Sequence, residues 1–221
     1  MASDKNLQTL LRWSIENQQA PQNGSPQNGA DGEHPPQSRS DLTPEVMAAL
    51  FGGPSEADLM KAAMEVITST DPEVTLETKL TAFDNFEQLI ESLDNANNMT
   101  SLSLWEPLLS CLAHEVQELR RMAAWCVGTA VQNNVKSQER LLAHGGIPTL
   151  VEMAMNDGED KAVRRKAVYA LSSAVRNYQP AMDVCSTELR KRGKDHGNID
   201  AEDMDVVDAV MNALKEEAIG G

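Results

Sequence analysis

Apolar residues along most of this chain recur three or four positions apart, the spacing of one face of an α-helix. The spacing is clearest at residues 119–131. There the apolar stripe comprises Leu119, Met122, Ala123, Cys126, Val127, Ala130 and Val131. Similar spacing predicts helices at about 44–51, 56–69, 76–93, 147–155 and 204–218. Residue types that commonly begin helices occur near the start of predicted helices, at Pro44, Thr75 and Pro107. The pattern therefore predicts an all-α protein.

One stretch of the chain occurs twice. Residues 119–133 and 163–177 are 44 positions apart, and six of their fifteen positions are identical. The second copy keeps the apolar stripe except at Lys166. Helical units that recur about every 40 to 47 residues, with a turn such as Gly145-Gly146 before a second helix, are typical of armadillo and HEAT repeats. We therefore expect an armadillo-like helical repeat solenoid, with a diverged copy at residues 75–90.

Changes in composition divide the chain into four predicted segments. Residues 1–17 carry a short amphipathic stripe, and Trp13, which has no core to fill there, indicates a docking role. Residues 18–41 are rich in Pro, Gln, Asn, Gly and Ser, which is typical of a flexible linker. Residues 42–192 hold the predicted repeat domain. Residues 193–221 form an acidic helical segment that we expect to cap the last repeat.

Charge and apolar content exclude several classes of protein. The chain has 34 Asp and Glu against 19 Lys and Arg, a formal net charge of −15. Nucleic acid and anionic membrane surfaces would favour a basic protein, so neither is an expected partner. No apolar stretch is long enough to span a membrane and the first residues are charged, so we expect a cytoplasmic protein. Its cysteines, Cys111, Cys126 and Cys185, are predicted to be free.

No motif for catalysis or cofactor binding is evident. The glycine pairs lack the spacing of phosphate-binding loops, and the four histidines lack metal-ligand spacing, so we expect no cofactor, no metal and no enzyme activity. The pairs Arg120-Arg121 and Arg164-Arg165 leave two interpretations. They either grip carboxylates of a ligand or, as we favour, pair with neighbouring acids such as Glu118 and Asp157. Asparagines that end the repeated helices are either caps or part of a binding face.

Five blocks of sequence resemble the fungal Fes-type nucleotide exchange factors, relatives of the animal heat-shock-protein-binding proteins. These are LLRWSIEN at 10–17, FGGPSEADLMKAAMEVI at 51–67, LETKLTAFDNFEQLIESLDNANN at 76–98, LWEPLL at 104–109 and VGTAVQNN at 127–134. The resemblance covers residues 7–17 and about 42–178. It implies an armadillo-like monomer that binds the ATPase domain of cytosolic seventy-kilodalton heat-shock chaperones and accelerates ADP release. Support of chaperone-assisted folding follows from that activity, and a role in translation is left open.

The resemblance also implies site residues. Ala96, with its neighbours Asp94, Asn95 and Asn97, lies at the family's chaperone contact. We add to this predicted set four residues in or directly after the repeated blocks, since the concave face of solenoids binds partners. These are Asn133, Asn134, Arg165 and Asn177. The N-terminal helix corresponds to a segment that frees substrate from the chaperone, and its predicted residues are Leu10, Leu11, Trp13 and Ile15.

The C-terminus departs from the yeast-type pattern. Yeast-type members continue into further repeats after the second repeated block, including an arginine that contacts the chaperone, whereas this chain continues after Asn177 into an acidic tail of unrelated sequence. No residue here is expected to take that arginine's role. The alternative function is an armadillo adaptor that joins two partners without exchange activity, and stimulated ADP release distinguishes the two.

Overall fold

A computed structural model describes residues 54–220. The chain divides into two units, Met1–Leu59 and Met60–Gly221, which are treated separately. Helix α1, Glu56–Thr68, begins in the first unit, where the Asp58 backbone N–H donates to Ser55 Oγ at 3.2 Å and so caps the helix start. The predicted N-terminal helix, linker and helix at 44–51 lie outside the described residues.

In the described part of the second unit, nine helices follow α1, joined by turns and, before the last helix, by the loop at 192–203. They are α2 (Leu76–Ile90), α3 (Leu93–Asn98), α4 (Trp105–Ser110), α5 (Gln117–Val131), α6 (Val135–Ala143), α7 (Gly146–Met155), α8 (Lys161–Val175), α9 (Gln179–Lys191) and α10 (Met204–Gly220). A 3-10 turn at Cys111–Ala113 follows α4. No strand occurs within residues 54–220, so the all-α prediction is confirmed there.

Three helices of fifteen residues each, α2, α5 and α8, lie side by side in a row. α5 packs against α2 on one side and against α8 on the other, and α10 follows as the fourth member because it packs against α8. The shorter helices form a second layer, in which α6 packs on α5 and α7 packs on α8. Such pairing of successive helical units agrees with the predicted armadillo-like solenoid.

The predicted apolar stripe of α5 forms core. Each of its seven residues is at most 3% exposed, and the equivalent apolar residues of α8 are at most 1% exposed. α5 and α8 approach closely at Gly128, where an added Cβ would lie 2.4 Å from Tyr169 Cε1 and 3.2 Å from the Ala170 Cα. A side chain at residue 128 would therefore have to displace the Tyr169 ring and shift the α8 backbone.

The asparagines after the repeated helices have two different roles. Asn133 and Asn177 follow α5 and α8 with φ angles of 52° and 55°, the left-handed conformation that asparagine tolerates at helix ends. Their interpretation as residues that end helices is confirmed. Asn134 instead begins α6, because its side chain accepts a hydrogen bond from the Ser137 N–H at 3.4 Å. The helix predicted through Leu93 ends at Ile90, since Ser92 is extended and starts α3.

The C-terminal segment belongs to the second unit. Apolar residues on one side of α10 are buried against α8 and α7. They are Val207, Val210, Met211, Leu214 and Ala218. The loop before α10 is held to α9, since Gln179 Nε2 donates to the Ile199 carbonyl at 2.9 Å and Gln179 Oε1 accepts from the Ala201 N–H at 2.8 Å. The three cysteines are free, as predicted, and all are buried.

Candidate functional site

Two open cavities lie along the row of long helices, on a surface that we call the long-helix face. The α3 cavity, of about 580 Å³, is lined by residues of α2, α3 and α5. The α10 cavity, of about 550 Å³, is lined by residues of α5, α8 and α10. Tyr169 of α8 lines both, and the absence of a side chain at Gly128 gives its ring room against α5. The two cavities are therefore neighbours on one surface.

The α3 cavity brings together Ala96 and Asn133 from the predicted set. Ala96 is only 1% exposed, so it forms part of the cavity floor, whereas Leu93 on the rim is 56% exposed. Glu87 also lines the cavity, and its carboxylate accepts a hydrogen bond from Thr129 Oγ1 at 2.7 Å. The site thus combines a small residue and a polar wall, which gives a partner's side chain room to enter.

The neighbours of Ala96 do not line this cavity. Asp94 is exposed on α3. Asn95 is buried, and its Nδ2 donates to the Leu89 carbonyl at 2.9 Å, which ties α3 to the end of α2. Asn97 Oδ1 is buried and accepts no hydrogen bond from a described residue. Of this group, Ala96 is therefore the residue that the α3 cavity presents.

The α10 cavity contains Arg165 from the predicted set and four further cations. They are Arg121, Lys166, Arg176 and Lys215. Arg176 pairs with Asp208 of α10. The Lys166 ammonium lies 4.0 Å from the centre of the Trp125 ring, and burial lowers the pKa of Lys166, although Glu87 opposes that shift. The cavity is therefore basic in a protein of strongly negative net charge.

In each of the two arginine pairs, one member forms contacts within the fold and the other lines the α10 cavity. Arg120 forms a bidentate pair with Glu159, with Nε to Oε2 at 2.6 Å and Nη2 to Oε1 at 2.7 Å. Arg164 is 3% exposed, donates from Nε to the Ala154 carbonyl at 3.0 Å, and lies 3.3 Å from Asp157. Arg164 therefore pairs with Asp157, as expected, whereas Arg120 pairs with Glu159, an acid that was not among the expected partners. The second member of each pair, Arg121 or Arg165, lines the α10 cavity.

The Arg120 pair changes the acidity of its partner. Burial alone would raise the pKa of Glu159. The Arg120 guanidinium and the Asp160 backbone N–H stabilise the carboxylate and together lower that pKa below its ordinary value. Glu159 is therefore a structural anion that holds the loop before α8 to α5.

The remaining predicted residues lie elsewhere. Asn134 is 6% exposed, and its side chain serves the start of α6 through hydrogen bonds to Ser137. Asn177 is exposed, and its backbone N–H donates to the Ala201 carbonyl at 2.9 Å. Neither residue lines either cavity. The predicted substrate-release residues, Leu10, Leu11, Trp13 and Ile15, lie outside the described residues.

Sequence reasoning missed several residues that line the cavities, among them Trp125, Tyr169 and Lys215. A signal for the first two was present, because both repeat copies carry an aromatic residue at this position, off the apolar stripe. Lys215 gave no comparable signal, since it is a single cation in an acidic helix.

Residues 54–220 contain no group of three or more His, Cys, Asp or Glu side chains placed to hold a metal ion. Within the same residues, no helix combines the length and the apolar character that crossing a membrane requires.

One solved structure is similar in fold. The crystal structure of an engineered protein matches with a TM-score of 0.52, over 82% of this chain and 76% of that one. Its sequence is 16% identical to this chain, so the likeness shows the fold alone.

Among known sequences, the Hsp70 nucleotide exchange factor FES1 of Gibberella zeae is 60% identical over 216 residues, covering 97% of this chain and 98% of that protein. The Hsp70 nucleotide exchange factor fes-1 of Neurospora crassa is 57% identical over 248 residues, with the same coverage of 97% and 98%. The corresponding FES1 protein of Saccharomyces cerevisiae is 44% identical over 177 residues, covering 78% of this chain and 57% of that protein.

The family models extend the match along the chain. The model described as nucleotide exchange factor Fes1 matches residues 7–99, and the model described as SIL1/FES1/HPBP1 C-terminal domain matches residues 95–185. The second match continues past Asn177, and the alignment with the Gibberella zeae protein covers 97% of this chain. The view that the C-terminal segment is unrelated to the family was therefore wrong, because most of it is shared with that relative. The chain belongs to the Fes1 family of nucleotide exchange factors.

Proposed function

We propose that this protein is a nucleotide exchange factor that binds the ATPase domain of a cytosolic Hsp70 chaperone and accelerates ADP release. The observation that carries the proposal is the 60% identity, over 97% of the chain, to a relative named as an Hsp70 nucleotide exchange factor. The protein acts as a monomer on a protein partner, without nucleic acid or membrane, and supports chaperone-assisted folding.

Exchange of this kind requires a binding surface rather than an active site. If the long-helix face binds the opened form of the ATPase domain more tightly than the closed, ADP-bound form, it shifts the population towards the opened form. Coupling between two ligands is reciprocal. If bound ADP lowers the affinity for this protein a given number of times, this protein lowers the affinity for ADP the same number of times. Binding at this surface thereby lowers the affinity of the ATPase domain for ADP and favours ADP release.

The long-helix face is the surface best suited to this role. The α3 and α10 cavities adjoin at Tyr169, and together they hold Ala96, Asn133 and Arg165 of the predicted chaperone-binding set. Trp125 and Tyr169 add amphipathic aromatic side chains of the type enriched at protein interfaces. We place the chaperone contact on this face and give no contact role to Asn134, whose side chain is used within the fold.

The N-terminal residues act separately in this proposal. Leu10, Leu11, Trp13 and Ile15 form the segment that frees bound substrate from the chaperone, while the repeat domain acts on the nucleotide. A weakly binding segment suffices for this task, because attachment to a protein that is already bound raises its effective concentration.

Release of a fluorescent ADP analogue from an Hsp70 ATPase domain, followed by stopped-flow, tests the proposed function. We expect the protein to raise the release rate at concentrations where it binds. Binding without faster release would support the adaptor alternative and contradict the proposal.

Ala96 supplies a site-directed version of this test. Ala96→Arg extends a long cation from the floor of the α3 cavity and should abolish both binding and stimulated release, while the matched Ala96→Ser variant, which adds one atom, should retain both. Since Ala96 is 1% exposed, thermal melts of both variants must accompany the rates. Loss of release together with early melting of Ala96→Arg would show that the residue is needed for the core and would contradict its assignment to the contact.

A further inference from the structure

The α10 cavity concentrates positive charge in a chain of formal net charge −15. Five of its lining residues are Lys or Arg, and no Asp or Glu among the described residues lines it. The cations come from α5, α8 and α10 and from the residue that follows α8. Packing of α10 against α8 is therefore what completes the cavity.

The five cations are not equivalent. Arg176 is neutralised by Asp208, and Lys166 lies over the Trp125 ring. Arg121, Arg165 and Lys215 form no ion pair with any described residue. Arg165 and Lys215 are exposed and Arg121 is half-buried, so the charges remain available to a partner. Three like charges around one cavity repel each other, and this unfavourable energy is relieved when an anion binds.

From this arrangement we propose that the α10 cavity binds a carboxylate-bearing segment of the chaperone, held by Arg121, Arg165 and Lys215. The proposal rests on the proposed function, which supplies the partner, and it adds the chemistry that the partner must present. Arginine guanidinium groups bind carboxylates through two parallel hydrogen bonds, and a lysine adds a point charge. The cavity is open along the long-helix face, so a protein segment can cover all three charges at once.

Lys215 gives α10 a direct part in binding. It is the single Lys or Arg of α10 and it lies on the side of the helix that faces the cavity, together with Met211 and Asn212. The opposite interpretation, that Lys215 serves only solubility, does not explain why the helix's one cation joins Arg121 and Arg165 in lining one cavity. In this chain, therefore, the C-terminal helix both covers α8 and extends the binding face.

Charge reversal tests the proposal. Lys215→Glu and Arg165→Glu are compared with Lys136→Glu on α6, which changes the net charge equally at an exposed lysine that lines neither cavity and has no ion pair with a described residue. The control matters because net charge alone alters the rate of encounter. Affinity of each full-length variant for the ATPase domain is measured at low and high salt, with ADP release measured in parallel.

We expect Lys215→Glu and Arg165→Glu each to weaken binding by about tenfold or more at low salt, which corresponds to about 1.4 kcal/mol. Lys136→Glu should change affinity less than about twofold, because it contributes only through long-range steering. The difference should shrink as salt is raised. All three variants should have the Tm of the wild-type protein, because none of the substituted residues is buried.

The outcomes separate this proposal from the proposed function. If the wild-type protein binds and accelerates ADP release while the cavity variants behave like Lys136→Glu, the carboxylate site is wrong and the exchange function stands. If the wild-type protein does not bind, both are wrong. Calorimetric titration of the protein alone with inorganic phosphate should show no binding, and saturable binding that Lys215→Glu removes would identify a phosphate site and overturn the carboxylate assignment.

Discussion

Replacing Arg164 by alanine should destabilise the folded protein, whereas the same substitution at Arg165 should leave stability unchanged and impair chaperone binding. The two residues are neighbours of the same type on α8. Arg164 is 3% exposed, with Nε donating to the Ala154 carbonyl at the end of α7, whereas Arg165 is exposed at the α10 cavity. The pair therefore separates folding from binding with matched changes in composition and charge.

The expected loss at Arg164 follows from its contacts. The hydrogen bond from the buried guanidinium to the Ala154 carbonyl, at 3.0 Å, contributes about 1.5 to 3 kcal/mol because its donor is charged and its acceptor is left unpaired by truncation. The aliphatic part of the side chain adds about 1 kcal/mol of packing. Asp157, whose side chain is 92% exposed, contributes less than about 1 kcal/mol. The total is about 3 kcal/mol, against about 0.5 kcal/mol or less for Arg165→Ala.

Thermal and urea unfolding, followed by circular dichroism, measure this difference. For a domain of this size about 3 kcal/mol corresponds to a fall of roughly 6 to 12 °C in Tm. Affinity for the ATPase domain should be unchanged for folded Arg164→Ala and reduced for Arg165→Ala. Equal destabilisation by the two variants would contradict the orientation of α8, in which Arg164 is buried and Arg165 is exposed. A loss below about 1 kcal/mol for Arg164→Ala would contradict the role given to its buried hydrogen bond.

Three further outcomes can be measured on the same protein. Ala130→Asp and Ala174→Asp place an unpaired charge at positions that are at most 1% exposed, so each should lower the free energy of unfolding by about 3 kcal/mol or more. A Tm equal to that of the wild-type protein would contradict the burial of these faces of α5 and α8. The pKa of Glu159 is lowered in the folded state, so its stabilising pair with Arg120 is present above the ordinary glutamate pKa and is lost as pH falls through the folded value. Urea unfolding between about pH 7 and pH 3 should show this loss in the wild type and a smaller one in Glu159→Gln; identical pH dependence would exclude the pair as its source. Deletion of residues 1–17 should leave ADP release from the isolated ATPase domain unchanged but slow peptide release from the full-length chaperone, and a collapse of ADP release would assign those residues to the exchange surface.

The helices were predictable because burial in a repeat protein is periodic and local. The stripe from Leu119 to Val131 identified the core face of α5, and the 44-residue repeat transferred that face to α8. Helix ends were less predictable. Thr75 was correctly predicted to cap α2, since its Oγ1 accepts from the Thr78 N–H at 3.2 Å. The end of α2 at Ile90 was not predicted, because apolar spacing continues to Leu93 and the break depends on the backbone conformation of Ser92.

The candidate site was predictable only where a local rule applied. Arg120 and Arg164 occupy equivalent positions of the repeat, and both form ion pairs with acids of the loop that precedes α8. Which arginine of each pair is structural depends on partners that lie outside its own helix. Glu159, the partner of Arg120, is 39 residues away and was not among the acids expected to pair with it. Spacing along one helix carries no information about such a contact.

The C-terminal segment differs in sequence from longer relatives but still extends the long-helix face. The sequence departs from the yeast-type pattern after Asn177, and the chain covers 57% of the Saccharomyces cerevisiae protein. The structure instead places α10 beside α8, in the position that continues the row of α2, α5 and α8. Its buried stripe supplies the packing, and Lys215 lies at the cavity with Arg165. The acidic helix predicted as a cap thus has a buried face that packs on α8 and an exposed face with Lys215 at the cavity. Substitution of Lys215 tests the binding role proposed for the exposed face without disturbing the buried one.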